Sequence, residues 1–291
     1  MRDQRRELGQ RIGVWLTLAR VTNLPTVWSN CLAAILIGGG TDFVSLLGTI
    51  IGGSFVYAGG VMLNDYFDRD FDARFRPARA IPSGRISPTS VFLGGVAALA
   101  AGVLVLDMLA HASLWLSLTL VVLVFTYDLV HKATALAPVL MAACRLNLYL
   151  VAASASFHGV TGLVVWCGLA LACYVAGLSC VSRQEVSRAP LAWWPILLMV
   201  VPMALALVAN AGPYRETAIA LSLLLAIWLW ASLKDVFNDS GAQYGPAVSR
   251  LLAGIVLVDL LNVVAEPARV SLVFVALFGL TLLGQRYSPG T

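Results

Sequence analysis

The chain is built from apolar runs of about 20 residues, the length that crosses the hydrocarbon of a bilayer as an α-helix. They fall at about 21–40, 43–63, 90–109, 112–130, 135–157, 161–181, 191–210, 216–233, 247–265 and 269–285. In lipid a backbone amide finds no water to bond, so runs of this kind must be helical. The expected architecture is an all-α, polytopic membrane bundle of about nine or ten transmembrane helices. The lower number holds if one member of the last pair, split only by Glu266-Pro267-Ala268-Arg269, is re-entrant or interfacial. Only 12% of the 291 residues are charged, about half the share in a soluble domain. Residues 1–291 therefore read as a single transmembrane domain.

The N-terminal MRDQRRELGQR leads into an apolar segment too long for a secretory signal and without a small-residue cleavage site, so a retained first span is expected. Asp3 and Glu7 interrupt the basic run, which argues against a mitochondrial transit peptide. Lysines and arginines in short loops mark the cytoplasmic side. With the N-terminus inside, 16 of the 19 basic residues lie on that side. Arg215 and Arg269 fall outside, and Arg145 lies within a span. The bias accounts for the net charge of +4 without a nucleic-acid partner. All five cysteines lie in apolar segments with no CxxC pair, and the three histidines are scattered, so structural thiols are expected and no zinc site.

One stretch breaks the pattern. Residues 64–72 read NDYFDRDFD, four carboxylates at the inner end of the second span. Ionisable groups at a membrane boundary are expensive and therefore functional by default. At about 100° per helical residue, Asn64, Asp68, Asp72 and Asp65 fall at roughly 0°, 40°, 80° and 100°, and Asp70 at roughly 240°. Three carboxylates and an amide on one face form an oxygen-donor site for a hard cation such as Mg²⁺, which is usually held by one or two carboxylates and substrate phosphates. The next residues, ARFRPARAIPSGRIS, carry Arg74, Arg76, Arg79 and Arg85 around a Pro-Ser-Gly turn. Metal on one side and arginine forks on the other make a clamp for a doubly charged anion. The plainer reading is a lipid-headgroup loop whose arginines pair with the acids.

Other inner-side groups join the candidates. Lys132 can reach a phosphate as a point charge, while the preceding Asp128 reads as a loop charge. Arg145 and Asn147 lie well inside the fifth span, where an arginine must face the bundle interior or a watered cavity. Arg145 is expected to bind the same phosphate or to be neutralised by the acidic cluster. Arg183 and Glu185 stand at the exit of the sixth span, where Glu185 could hold a second metal or pair with a neighbouring arginine. Asp235 and Asp239 are four apart in KDVFND, a spacing that puts them on one helix face, though an exposed loop is the plainer reading. Asn23 is either a cavity ligand or a buried amide joining helices.

NDYFDRDFD followed by this basic segment resembles the UbiA superfamily of intramembrane prenyltransferases, whose first motif is NDxxDxxxD. It maps onto Asn64, Asp65, Asp68 and Asp72. Arg79 and Gly84 fit the family's basic RPLxxG-type segment, with Ala80 where proline is usual. Tyr127 and Lys132 resemble its third conserved region. RAIPSGRIS, CRLNLYL and YVAGLSCVSRQEV look most like the EboC branch, which is encoded in bacterial ebo clusters linked to a secondary-metabolite precursor. The resemblance implies an integral plasma-membrane enzyme with a cytoplasmic mouth. It implies Mg²⁺ as cofactor, an isoprenyl diphosphate and a small-molecule acceptor as partners, and the bilayer as surroundings. Asn64, Asp65, Asp68 and Asp72 are then the metal ligands. Asp65, Asp68, Lys132, Arg145 and Glu185 carry catalysis, and Asn23, Arg79 and Arg183 bind the diphosphate. The chain departs from the family where SRQEV replaces the second Asp-rich motif. That leaves open a non-catalytic prenyl-lipid-binding or transport-associated component as the alternative.

Overall fold

A computed structural model describes residues 12–187, 193–237 and 244–287, and its regular elements there are all helices. They are α1 (residues 12–18), α2 (Leu24–Ile37), α3 (Phe43–Phe67), α4 (Arg69–Phe75), α5 (Pro88–Met108), α6 (Leu114–Val130), α7 (Ala137–Ser154), α8 (Gly162–Ser187), α9 (Trp194–Ala209), α10 (Arg215–Phe237), α11 (Tyr244–Asn262) and α12 (Ala268–Tyr287). Each apolar run predicted from sequence is a helix. Seven of these helices, α3, α5, α7, α8, α10, α11 and α12, are long and apolar enough to cross a membrane, and α2, α6 and α9 are apolar but shorter.

The helix ends follow local chemistry. The Asp42 carboxylate caps α3 by accepting from the amides of Val44 and Ser45. The Ser87 hydroxyl accepts from the Ser90 amide at the start of α5, where Pro88 occupies the first turn and gives up no needed donor. The acidic stretch is not one unbroken helix. The chain turns at Asp68, between α3 and α4. Bonds from Asp68 N to Asn64 O (2.9 Å) and from Asp72 N to Asp68 O (2.8 Å) carry the helical sense across the break. The expected face therefore survives.

With no hydrophobic drive between helices in lipid, close backbone approach through small residues holds them together. The α3–α5 seam shows this. A Cβ on Gly59 would lie 2.8 Å from the Gly95 carbonyl, and one on Gly102 would lie 2.9 Å from the Gly52 carbonyl. This contact fixes the end of α3 from which the carboxylates project. At the centre runs α11, buried from Ala253 through Leu261 and touching α2, α8, α10 and α12.

Hydrogen bonds between loops sort into two ends. At one, Phe157 N donates to Gly40 O, His158 N to Gly38 O and Ser113 N to Ser154 Oγ. At the other, the α3–α5 connection meets the α6–α7 connection, and Arg183 of α8 donates to Thr134 O. Each bond joins loops that the charge bias assigns to the same side.

Candidate active site

The acidic face meets its own counter-ions. Asp65 Oδ1 takes Arg20 Nη2 at 3.2 Å and Arg79 Nη1 at 2.9 Å, and the same Arg79 nitrogen reaches Asp72 Oδ2 at 3.0 Å. Asp68 Oδ1 takes Lys132 Nζ at 2.6 Å and His131 Nε2 at 3.3 Å. Arg20 is placed by a left-handed backbone, φ 43°, just before the turn into α2. Such conformations in non-glycine residues concentrate at functional sites. Asp70, on the opposite face, is exposed and, among the described residues, pairs only with Arg69, at 3.8 Å.

Burial alone would raise the Asp68 carboxyl, but the hydrogen bonds and charges of His131 and Lys132 outweigh it and hold Asp68 below the ordinary carboxylate value. His131 shifts reciprocally. Burial lowers it, and the Asp68 contact more than reverses that and raises it. Asp72 is raised by burial, with Arg79 pulling the other way and the charges of Asp68 and Asp65 adding to the rise.

Next to this cluster, reached by it through Arg20 and Asn64, lies a cavity of about 180 Å³ between α3, α6 and α7. Arg20, Asn64, Tyr127 and Asp128 line its polar end, Tyr57 and Arg145 also face it, and Val56, Leu120, Val124, Met141 and Leu148 form its apolar wall. Asp128 is not the loop charge expected from sequence. The last turn of α6 runs to Val130 and turns Asp128 inward, where it is buried and accepts from Asn64 Nδ2 at 3.1 Å.

The remaining candidates divide. Lys132 stands on Asp68 and over the Phe71 ring, 3.9 Å from its centroid. Arg145 does not meet the acidic cluster. It donates to Asn30 Oδ1 (2.7 Å) and Thr26 Oγ1 (3.1 Å) of α2. Asn23 is buried at the start of α2, outside the cavity wall. Arg183 is exposed and ties α8 to the α6–α7 loop through Thr134 O at 2.6 Å. Glu185 belongs to α8, with its side chain outside the described residues, as is Asp239. Asp235 pairs with Arg250 at 3.4 Å. Arg85 is spent on its own loop, donating to Ala78 O and Ser83 Oγ. Sequence reasoning passed over Asp259, wholly buried in α11 and bonded by Ser29 Oγ and Asn30 Nδ2, each at 2.6 Å. An acid inside the run 247–265 was the only signal for it.

Among the described residues no three His, Cys, Asp or Glu side chains converge as a ready-made metal cage. The donor chemistry nevertheless suits a hard cation shared with a ligand. Each of Asp65, Asp68 and Asp72 gives one oxygen to the basic groups, and Asp72 Oδ1 is buried with no hydrogen-bond partner among the described residues.

The model of the UbiA prenyltransferase family matches residues 23–244, from the start of α2 to the start of α11. The chain belongs to the UbiA prenyltransferase family. The match takes in the acidic face, the basic loop and the whole cavity wall except Arg20. The chain is similar to the digeranylgeranylglyceryl phosphate synthase of Methanopyrus kandleri, at 34% identity over 42% of this chain and 45% of that protein. It is similar to the mitochondrial 4-hydroxybenzoate polyprenyltransferase of Saccharomyces cerevisiae, at 34% identity over 47% of this chain and 37% of that protein. The matches thus span less than half the length of these curated UbiA relatives. A solved structure described as digeranylgeranylglyceryl phosphate synthase in membranes shares the fold, with a TM-score of 0.57 over 94% of this chain and 99% of that one, at 16% identity.

Proposed function

We propose that the protein is an integral membrane prenyltransferase that binds an isoprenyl diphosphate at the inner mouth and transfers the prenyl group to a small-molecule acceptor. The carrying observation is the juxtaposition of Asp65, Asp68 and Asp72 with Arg20, Arg79 and Lys132 next to an apolar-walled cavity whose polar end Arg20 lines. Family membership and the polyprenyltransferase activity named for the Saccharomyces relative support the same reading. Within the family we place it in the EboC branch, in the bacterial plasma membrane, with nine or ten spans and both the N-terminus and the mouth cytoplasmic.

Asn64, Asp65, Asp68 and Asp72 would hold Mg²⁺, whose charge offsets the developing negative charge on the diphosphate. Arg20, Arg79 and Lys132 turn from their carboxylates to the diphosphate oxygens and orient the leaving group. The allylic C–O bond breaks and its electron pair leaves with the diphosphate, so fixed positive charge at that point is the main catalytic contribution. Positive charge is left on the allylic carbon. The rings of Tyr57 and Tyr127 line the cavity there, and their electron-rich faces attract a cation. The acceptor attacks this carbon, forming the new bond, and loses its proton to Asp128.

The test is release of diphosphate from a radiolabelled isoprenyl diphosphate by the purified protein with Mg²⁺. Asp65→Asn or Asp68→Asn should lower the rate by about 100-fold, the scale of losing one element of preorganised charge stabilisation. Mg²⁺-dependent binding with no release under any acceptor sinks the enzyme reading in favour of a prenyl-lipid-binding component. That second reading is favoured by the engagement of Arg183 with Thr134 O rather than with the cavity.

A further inference from the structure

The first turns of α9 lean on α8. A Cβ on Gly177 of α8 would lie 2.5 Å from the Pro195 carbonyl oxygen and 2.8 Å from Met199 Cγ, so α9 beds down where α8 has no side chain. Its packing on α10 is much sparser. Pro195 and Met199 are four apart and share the face turned to α8. Ile196, Val200 and Met203 keep helical spacing about 100° further round. This second face looks toward α10 across a groove of about 600 Å³, with Ala226 and Trp230 on the far wall and Lys234 at one end. Val200 and Trp230 are largely exposed, so the groove opens sideways to the bilayer.

Its length is that of one leaflet. Ala226 and Lys234 are eight residues apart on α10, and Ile196 and Met203 seven apart on α9. At 1.5 Å per residue the groove runs about 10–12 Å along the helices, against about 15 Å for half of the hydrocarbon core. A cleft of this depth, apolar and open to lipid, is filled by an acyl chain that enters from its own leaflet.

The end of the groove is cationic. α9 begins shortly after α8 ends, so Lys234 stands at the end of the bundle where Arg183 meets Thr134 O. Lys234 makes no ion pair among the described residues, and the adjacent Asp235 is turned to Arg250 Nη1 at 3.4 Å. Lys234 Nζ instead lies over the Trp230 ring, 5.5 Å from its centroid and one turn into the groove. Trp193 and Trp194, both exposed at the start of α9, mark the same level as headgroup depth, where tryptophans gather. A positive charge at that level, above a chain-length groove, is complementary to a lipid phosphate.

We propose that the α9–α10 groove binds one anionic phospholipid, with an acyl chain between the two helices and the headgroup phosphate on Lys234 Nζ. The lipid fills the seam that the two helices leave open. The groove shares no residue with the cavity between α3, α6 and α7, and its assignment does not rest on the prenyl-transfer reading.

The test is native mass spectrometry of the full chain in detergent micelles, titrated with phosphatidylglycerol or with phosphatidylcholine of the same acyl chains. The first phosphatidylglycerol should bind about fivefold more tightly than the first phosphatidylcholine, the about 1 kcal/mol that one lysine contributes beside an anionic lipid. Lys234→Gln should erase the preference and Lys234→Arg should keep it. Arg286→Gln, an exposed charge in the last turn of α12, should also keep it. Ala226→Phe, on an exposed position of the groove wall, should remove the first binding event for both lipids. Equal binding of the two lipids to the wild-type chain means a lysine that merely reaches for water, and overturns the proposal. So does a preference lost equally in Arg286→Gln, which makes the attraction diffuse, or a first lipid that still binds Ala226→Phe. Displacement of the bound phospholipid by geranylgeranyl thiolodiphosphate would give the groove to a prenyl chain and overturn it as well.

Discussion

At the scale of single residues the site turns on one shared cation. Arg79 holds Asp65 and Asp72 through one nitrogen, and Asp72 is almost wholly buried. Arg79→Ala strands that carboxylate, and loss of one partner of a buried pair costs about 3 kcal/mol. A fall in unfolding free energy of that order is expected by steric trapping, with most of it recovered in the double variant Arg79→Ala/Asp72→Asn, since coupled neighbours are not additive. The Asp68–His131 contact has a pH signature. A raised histidine contributes stability below its ordinary value and loses it as pH rises through the higher folded value. A lowered carboxyl contributes above its ordinary value and loses it as pH falls through the lower folded one. The contact is therefore complete between about pH 4 and 6.5 and fades on either side. NMR titration of the His131 ring should give a midpoint above about 6.5 that drops in Asp68→Asn, and an unchanged midpoint would refute the coupling. The acidic face could be read from sequence because four carboxylates stand out at the end of an apolar run. Asp259 could not, because its partners Ser29 and Asn30 lie 230 and 229 positions away and a lone acid has no spacing to interpret.

At the scale of helices, hydropathy located the apolar segments because the bilayer demands an uninterrupted run for each. It was blind to the turn at Asp68, which is a matter of local geometry within a stretch that looks helical throughout. It was equally blind to pairing, since glycines in α3 and α5 are visible in the sequence but their register is not. The seam makes a sharp prediction. A methyl at Gly59 would sit 2.8–2.9 Å from backbone atoms of Gly95 and Leu99 and from the Leu99 side chain. α5 must then move, and such overpacking costs roughly 1–3 kcal/mol. Gly279 in α12 has nothing within 4 Å, so Gly279→Ala should be neutral or stabilising by up to about 1 kcal/mol, the helix-propensity difference. Reversible unfolding in mixed micelles compares the two directly, and equal effects would dismiss the seam as a structural determinant.

At the scale of the whole molecule, positive-inside bias and loop-to-loop bonding agree on two ends. A membrane-impermeant maleimide applied to intact cells, in a background freed of the five native cysteines, should label Phe157→Cys and spare Ser83→Cys. The reverse pattern would place the mouth outside. What hydropathy alone did not reveal is which helix is central. All the spans are greasy, and only the packing shows that α11 is enclosed while α12 is mostly open to its surroundings.

The clasp of Arg79 between two aspartates also bears on how a ligand arrives. The site is already neutralised from within, so an incoming polyanion does not meet a bare field. On the proposed reading the diphosphate must exchange partners, each arginine trading a carboxylate for a phosphate oxygen while the released carboxylate finds another cation. Entry then resembles a ligand-substitution reaction more than a capture. Its rate would be governed by how quickly Arg79 and Lys132 let go, and only weakly by the salt in the surrounding water.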